Sequence, residues 1–210
     1  ILEYIRTKQR SLHQLLDIAR PQITIITTME DADEAALRDA AKLIHALPSN
    51  GYAVINYDHP ETLELKENTR AHTITFGCNE GADMRIMNLE YRAEETADGA
   101  YKPIGISCKL HYGDNCIPVR LDGAFGAGPA YAIAAAACVG TAFGMNLVRI
   151  AETTQYYQTL PHRMQLLPGK KGVYLFDDTY DAKPLSTREA LDVMEALPAR
   201  RTVCVFGPVP

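Results

Sequence analysis

The first 77 residues alternate short runs of β-formers with segments of helical period, and few folds accommodate that alternation. Ile23, Thr24, Ile25, Ile26 and Thr27 make one such run, residues 52–56 a second, and residues 72–76, closed by Gly77, a third. Leu37, Ala40, Ala41, Ile44 and Leu47 recur at helical spacing between the first two, where Asp31 with Glu34 can cap the helix. Leu12, Leu15, Leu16 and Ala19 mark an earlier helix that Arg20-Pro21 ends, and a short polar helix is expected over 61–68. Residues 1–5 read as a strand. Strands separated by helices pair in parallel through right-handed crossovers. A parallel sheet is expected, with Ile25 in a buried strand.

The pattern changes after Gly81. Residues 84–94, 104–111 and 116–121 look extended, with Asp98-Gly99 and Gly113-Asp114-Asn115 as turns. They predict an antiparallel ribbon attached to the parallel sheet. Gly123-Ala124-Phe125-Gly126-Ala127-Gly128-Pro129 then opens an Ala-rich helix to about 142, with Pro129 in its first turn. Leu147, Ile150, Ala151 and Thr154 give one more helical face. We place a boundary near Leu160-Pro161. Strands at 164–167 and 173–176, a helix from Pro184 and a strand at 203–206 follow. The expected fold class is α/β: a parallel sheet with crossover helices and an attached antiparallel β-ribbon over 1–160, then the incomplete beginning of a second α/β domain over 161–210.

Asp177-Asp178-Thr179-Tyr180-Asp181-Ala182-Lys183-Pro184 joins the 173–176 strand to the last helix. Ser186 and Glu189 have the spacing of a capping box there. Two carboxylates thus leave the carboxyl end of a strand, the edge at which open α/β sheets bind ligands. Taken alone, the pair fits equally well a solvated strand end with Asp178 capping a turn. An antiparallel return through Pro168-Gly169 would bring Asp177 and Asp178 back beside Arg163, where a guanidinium could pair with a carboxylate.

Composition excludes several classes. A net charge of −5 with no basic face argues against nucleic-acid binding. No apolar run reaches membrane-spanning length, so no membrane insertion is expected. The five cysteines, at 78, 108, 116, 138 and 204, lack metal-ligand spacing and suggest reduced thiols in a cytoplasm. The chain opens on Ile1 rather than Met, from which we expect it to begin inside a longer protein, and no signal peptide is apparent. His59 and His72 could reach a common sheet edge, although no spacing rule requires it. Tyr156-Tyr157 could stack on a base or simply pack near a helix end.

Several segments carry a resemblance. The stretch from Asp177 to Pro184 resembles the Asp-Asp-Ser-Tyr-Asn-Ala-Asn-Pro segment of the Mur ligases, nearest to the D-alanyl-D-alanine-adding type. Leu160-Pro161-His162-Arg163 resembles their Gly-Leu-Pro-His-Arg segment. Ala19-Arg20-Pro21 is similar to their Ala-Arg-Pro-Asp, Val54-Ile55-Asn56-Tyr57-Asp58 to their Asn-Ala-Asp-Asp strand end, and Thr75-Phe76-Gly77 with Ala82-Asp83-Met84-Arg85 to their Thr-Phe-Gly and Ala-Asp-Val-Arg run. The resemblance implies a central ATPase-like domain over 1–160 and the start of a C-terminal α/β domain over 161–210. It implies ATP and Mg2+ as cofactors and a nucleotide-sugar peptide as substrate, in cytoplasmic peptidoglycan synthesis. A substrate carboxylate would be phosphorylated and then attacked by an amine. By the same resemblance Glu3 holds magnesium, Arg163 faces the phosphates, Asp178 bonds the ribose, and Asn56 lies near the nucleotide.

The departures bear on activity. No Gly-x-x-x-x-Gly-Lys-Ser/Thr loop occurs, and the 123–128 glycine run has no lysine, so it reads as a tight loop before a helix. Phe125, Gly126 and Pro129 stand where the family has His-Asn and Asn. Asp33 aligns with its magnesium-binding histidine and Ala40 with its carbamylated lysine, while Lys42 points elsewhere on the helix. Asp181 and Lys183 replace two asparagines. Three readings stay open: an ATP-dependent acid–amine ligase when part of a longer chain, a catalytically silent Mur-like binding or scaffold module, or an inactive fragment. The 210 residues alone are expected to be inactive.

Overall fold

The structure, a computed structural model, describes residues 12–28, 34–180 and 183–207. Helices α1 (Leu12–Ile18), α2 (Glu34–His45) and α3 (Pro60–Leu63) alternate with strands β1 (Ile23–Ile26), β2 (Tyr52–Asn56) and β3 (His72–Gly77). β4 (Met84–Glu95), β5 (Tyr101–Tyr112) and β6 (Asn115–Asp122) follow, then α4 (Gly128–Ala142) and α5 (Leu147–Thr153). β7 (Gln165–Pro168), β8 (Tyr174–Asp177) and α6 (Pro184–Ala196) complete the described elements. Six strands form one sheet in the order β1-β2-β3-β4-β5-β6, and β7 and β8 form a second. β1, β2, β3 and the start of β4 pair in parallel. Turns too short for a crossover join β4 to β5 and β5 to β6, which makes those pairs antiparallel. The α/β fold class expected from the sequence is the one observed.

The chain divides into two compact units. The first takes the described residues up to 85 with 111–114 and 134–146. Its core is the apolar face of α2 (Ala40, Ile44, Leu47) against Ile26, Ala53, Ile55 and Leu65. β2 lies inside the sheet and is covered on both faces, and its successive residues Ala53, Val54 and Ile55 are all fully buried. The Ala-rich second half of α4 comes close enough to β3 for the Cys138 thiol to reach the Thr75 carbonyl at 4.0 Å. Burial, with Asp83 adding to it, pushes that thiol up to about 12.

The second unit takes 86–110, 115–133 and the described residues from 147. Phe125, Val193 and Leu197 form its core, with Tyr91, Ala93, Met164, Leu166 and Phe176 packed around them. The Phe125 and Phe176 rings meet edge to face, centroids 4.8 Å apart. The boundary expected near Leu160 falls within this unit.

Some local expectations fail for identifiable reasons. Ile25 is 44% exposed: β1 alternates buried and open positions, as a strand at the end of the sheet order does. Residues 203–206 form no strand; Val205 is 93% exposed and no described strand pairs with it. The 61–68 helix is one α-turn followed by a 3-10 segment, Glu64–Asn68. Ser186 is not the first cap. Lys183 holds that place, and its N–H donates to the Ser186 hydroxyl at 3.1 Å. His72 opens β3 and stacks on Tyr52, whereas His59 follows the far end of β2, so parallel pairing sets the two histidines at opposite ends. The strand expected at 1–5 and the cap at Asp31 lie outside the described residues.

Candidate functional site

The site in the second unit is built by the β7–β8 hairpin. Its register pairs Gln165 with Asp177, Leu166 with Phe176, Leu167 with Leu175 and Pro168 with Tyr174. Continued past the strands, the same register sets residue 164 beside 178 and residue 162 beside 180. The bonds follow it: the Met164 N–H donates to Asp178 Oδ1 at 2.9 Å and the Tyr180 N–H to the His162 carbonyl at 3.0 Å. Asp178 therefore ties down the loop before β7, a bond across two strands rather than the cap of a local turn.

Arg163 lies between two residues in the left-handed region, His162 at φ 63° and Met164 at φ 45°. Such backbone costs about 1–3 kcal/mol per residue and persists only where neighbours over-determine it. Here they do. His162 Nδ1 lies 2.8 Å from Asp177 Oδ2, and the other Asp177 oxygen accepts from the Thr179 hydroxyl at 2.7 Å and the Thr179 N–H at 3.2 Å. The Thr179 hydroxyl and then His162 hold the Asp177 carboxyl below the usual carboxylate range. Arg163 itself lies over the Tyr180 ring, guanidinium carbon 4.0 Å from the centroid.

Arg163 and Asp178 line one pocket of about 260 Å3. Phe125, Gly126, Gly128 and Pro129 form one wall, Tyr157, Thr159 and Leu160 another, and Tyr180, Ser186 and Glu189 complete it with Met164. Gly126 is buried at φ 85°, a conformation that disfavours any side chain, so the glycine run both turns the chain and leaves room. The Thr159 hydroxyl donates to the Gly123 carbonyl at 3.1 Å and fixes that turn. Tyr157 is half-buried and its phenol is shifted up by burial, while Tyr156 is 77% exposed. Sequence reasoning named Arg163 and Asp178 but missed Tyr180 and the His162–Asp177 contact. The hairpin register, continued to residues 162 and 180, would have set Tyr180 beside the loop, but it pairs Asp177 with Gln165 and gives no sign of the His162–Asp177 contact.

Asn56 belongs to the first unit. It ends β2 at 3% exposure, and its side-chain carbonyl accepts from the Asp58 N–H at 2.9 Å. Asp58 in turn accepts from the Cys78 N–H at 2.6 Å and the Asn79 N–H at 2.9 Å, which joins the loops after β2 and β3. The Thr62 hydroxyl donates to the Asn56 carbonyl, and Thr28 and His59 meet at 3.2 Å. Glu3 and Asp33 lie outside the described residues, among which no group of three His, Cys, Asp or Glu side chains could hold a metal. Among them, too, no helix is long and apolar enough to cross a membrane.

The sequence model of the Mur ligase middle domain matches residues 1–113, more than half of the 210. The chain belongs to the Mur ligase family. It is 27% identical over 90% of its length to a UDP-N-acetylmuramate–L-alanine ligase of Halorhodospira halophila and 26% identical over 80% to one of Alkaliphilus metalliredigens. It spans 39% and 34% of those proteins. Its fold matches MurF from Acinetobacter baumannii with a TM-score of 0.73 at 20% identity, covering 89% of this chain and 40% of that one. The MurF ligase of Thermotoga maritima in complex with ADP matches at 0.67 and 23%, covering 88% and 41%. Sequence relatives and structural neighbours thus carry the names of different Mur ligases.

Ala40, which the resemblance sets against the family's lysine, is buried in the first unit's core. Lys42 is largely exposed and paired with Asp39 at 3.2 Å.

Proposed function

We propose that this chain is part of an ATP-dependent acid–amine ligase that adds an amino acid or dipeptide to a UDP-N-acetylmuramoyl peptide in the cytoplasm during peptidoglycan synthesis. The relatives extend well beyond the matched span, so the activity is proposed for the whole protein. Residues 1–160 would be its central domain and 161–210 the start of its C-terminal domain. The observation that carries the reading is the convergence of Arg163 and Asp178 on one pocket beside a glycine turn.

The residues present suit a nucleotide in part. Phe125, Tyr157 and Leu160 offer apolar surface to a base. Asp178 Oδ1 is occupied by the Met164 N–H, which leaves Oδ2 to accept from a ribose hydroxyl. Arg163 supplies the cation for a phosphate, since guanidinium pairs with phosphate in two-point geometry. Binding pockets for drug-sized ligands occupy about 300–1,000 Å3, so a pocket of this size fits a base and sugar better than a whole triphosphate. Bound ATP would supply the phosphoryl group that activates the substrate carboxylate. Asn56, in the first unit, is proposed as a nucleotide-binding residue on the family resemblance alone. Glu3 is the residue proposed for Mg2+.

Calorimetric titration with ADP tests the pocket. Arg163→Ala should weaken binding at least about tenfold, the loss of one charge-assisted phosphate bond, while the unfolding midpoint stays near that of the wild type. Equal ADP affinity in the two proteins would overturn the assignment.

One observation favours a second reading, a silent Mur-like binding module. Ala40 is a core residue, so the aligned position offers neither a charge nor room for a long side chain. The whole protein should then bind ADP and release no phosphate from ATP in the presence of muramoyl peptide and an amine acceptor.

A further inference from the structure

We propose that His162, Asp177 and Thr179 act as a positioning clamp that holds Arg163 in its orientation at the pocket; the consequence for ligand binding rests on the nucleotide reading above. Arg163 is exposed, and a long exposed side chain on a free loop would sample many rotamers. Two features of the structure restrict it. The backbone enters and leaves Arg163 through left-handed residues on both sides. The guanidinium lies over the ring of Tyr180, and Tyr180 is itself bonded to the His162 carbonyl. Both members of the cation–ring pair therefore depend on His162.

His162 depends in turn on Asp177. The Asp177 side chain is 17% exposed against 58% for His162, so the carboxylate is the anchored partner. Thr179 holds one of its oxygens with two donors, and that fork aims the other oxygen at the imidazole. An ionised carboxylate only accepts, so His162 Nδ1 carries the proton of this bond. The chain of contacts runs from Thr179 through Asp177 and His162 to the Arg163–Tyr180 pair. None of the three lines the pocket, so their part is to orient groups that do.

Proton NMR reads the clamp without any ligand. Held over the Tyr180 ring, the Arg163 δ-methylene protons should resonate upfield of an exposed arginine's. His162→Ala should abolish that shift, and His162→Asn, whose amide N–H can reach Asp177, should restore most of it. Thr179→Val, which deletes one donor and keeps the side-chain volume, should reduce it even if His162→Ala fails to fold. An unchanged shift in Thr179→Val and in whichever His162→Ala protein folds would overturn the clamp, and so would a loss in His162→Asn equal to that in His162→Ala. ADP titration then separates the two ideas. His162→Ala should weaken ADP about tenfold with recovery in His162→Asn, as is typical when a supporting partner of a binding residue is lost. A lost ring shift with ADP affinity unchanged in His162→Ala, but lowered in Arg163→Ala, would overturn the positioning role. ADP affinity unchanged in Arg163→Ala as well would overturn the nucleotide reading and leave the clamp standing.

Discussion

The two units hold their polar groups in place by different means. At the end of β2, Asn56 is fixed because the residues before it, Ala53, Val54 and Ile55, are fully buried, and a packed strand delivers its last residue to one place. At the β7–β8 hairpin, strands of four residues are half exposed, and packing alone cannot set the loop that bears Arg163. Hydrogen bonds accepted by the Asp178 and Asp177 carboxylates, and one donated by the Tyr180 N–H, set it instead. Loss of volume should therefore injure the first region, and loss of polarity or charge the second.

The largest effect is expected from Phe76→Ala. Phe76 ends the apolar part of β3, is completely buried, and pairs with both Asn56 and Met84. Truncating a buried phenylalanine costs about 3–5 kcal/mol. Urea melts measure it, and a loss no greater than that of Asp178→Ala would break the comparison.

Asp178→Ala comes next. Its carboxylate accepts from a half-buried backbone N–H and steadies a left-handed residue. Hydrogen bonds to charged groups contribute about 1.5–3 kcal/mol, more than the 1 kcal/mol or less of a charge at a bare strand end. The sharper variant is Asp178→Asn, which keeps an acceptor and removes the charge. Near-complete recovery there would show that the bond, rather than the charge, stabilises the loop.

Ile25→Ala should cost less than either. A fully buried isoleucine would lose about 2–5 kcal/mol, but Ile25 is 44% exposed, and partial burial lowers the loss to about 1–2 kcal/mol. A loss as large as that of Phe76→Ala would mean that β1 is covered in solution.

The difference also explains what could be read in the sequence. The strands and helices of the first unit were legible because burial writes itself as runs of β-formers and as helical period. Ile25 was misjudged because a run of five β-formers does not say which of its faces is open. Arg163 and Asp178 were legible as neighbours through the hairpin register and as a motif. The engagement of Asp178 with Met164, the stacking of Arg163 on Tyr180 and the His162–Asp177 contact were not. They depend on left-handed backbone at two residues that are not glycine, and residue type gives little sign of that. The 203–206 strand failed because β-propensity describes a residue's fit to a sheet surface, and no described strand lies beside it to supply one.

The smallest effect, a change in pH dependence, separates the two modes most cleanly, because burial of Phe76 does not titrate and the Asp177 contacts do. The Thr179 hydroxyl and His162 favour the charged form of Asp177, so its folded-state pKa lies below that of an unfolded aspartate, about 3.9. A depressed carboxylate contributes stability that is fully present above the unfolded value and is lost as pH falls through the folded one. The wild-type protein should therefore lose this contribution below about pH 4, whereas Asp177→Asn should lack it at every pH. Melts at pH 7 and pH 3 test this: the gap between wild type and Asp177→Asn should narrow on acidification, and the gap between wild type and Phe76→Ala should not. Solvent screening near the surface keeps this contribution small, and salt should diminish it further. A gap for Asp177→Asn that stays constant from pH 7 to pH 3 would show that the hairpin loop is held by packing after all, and the contrast between the two units would disappear.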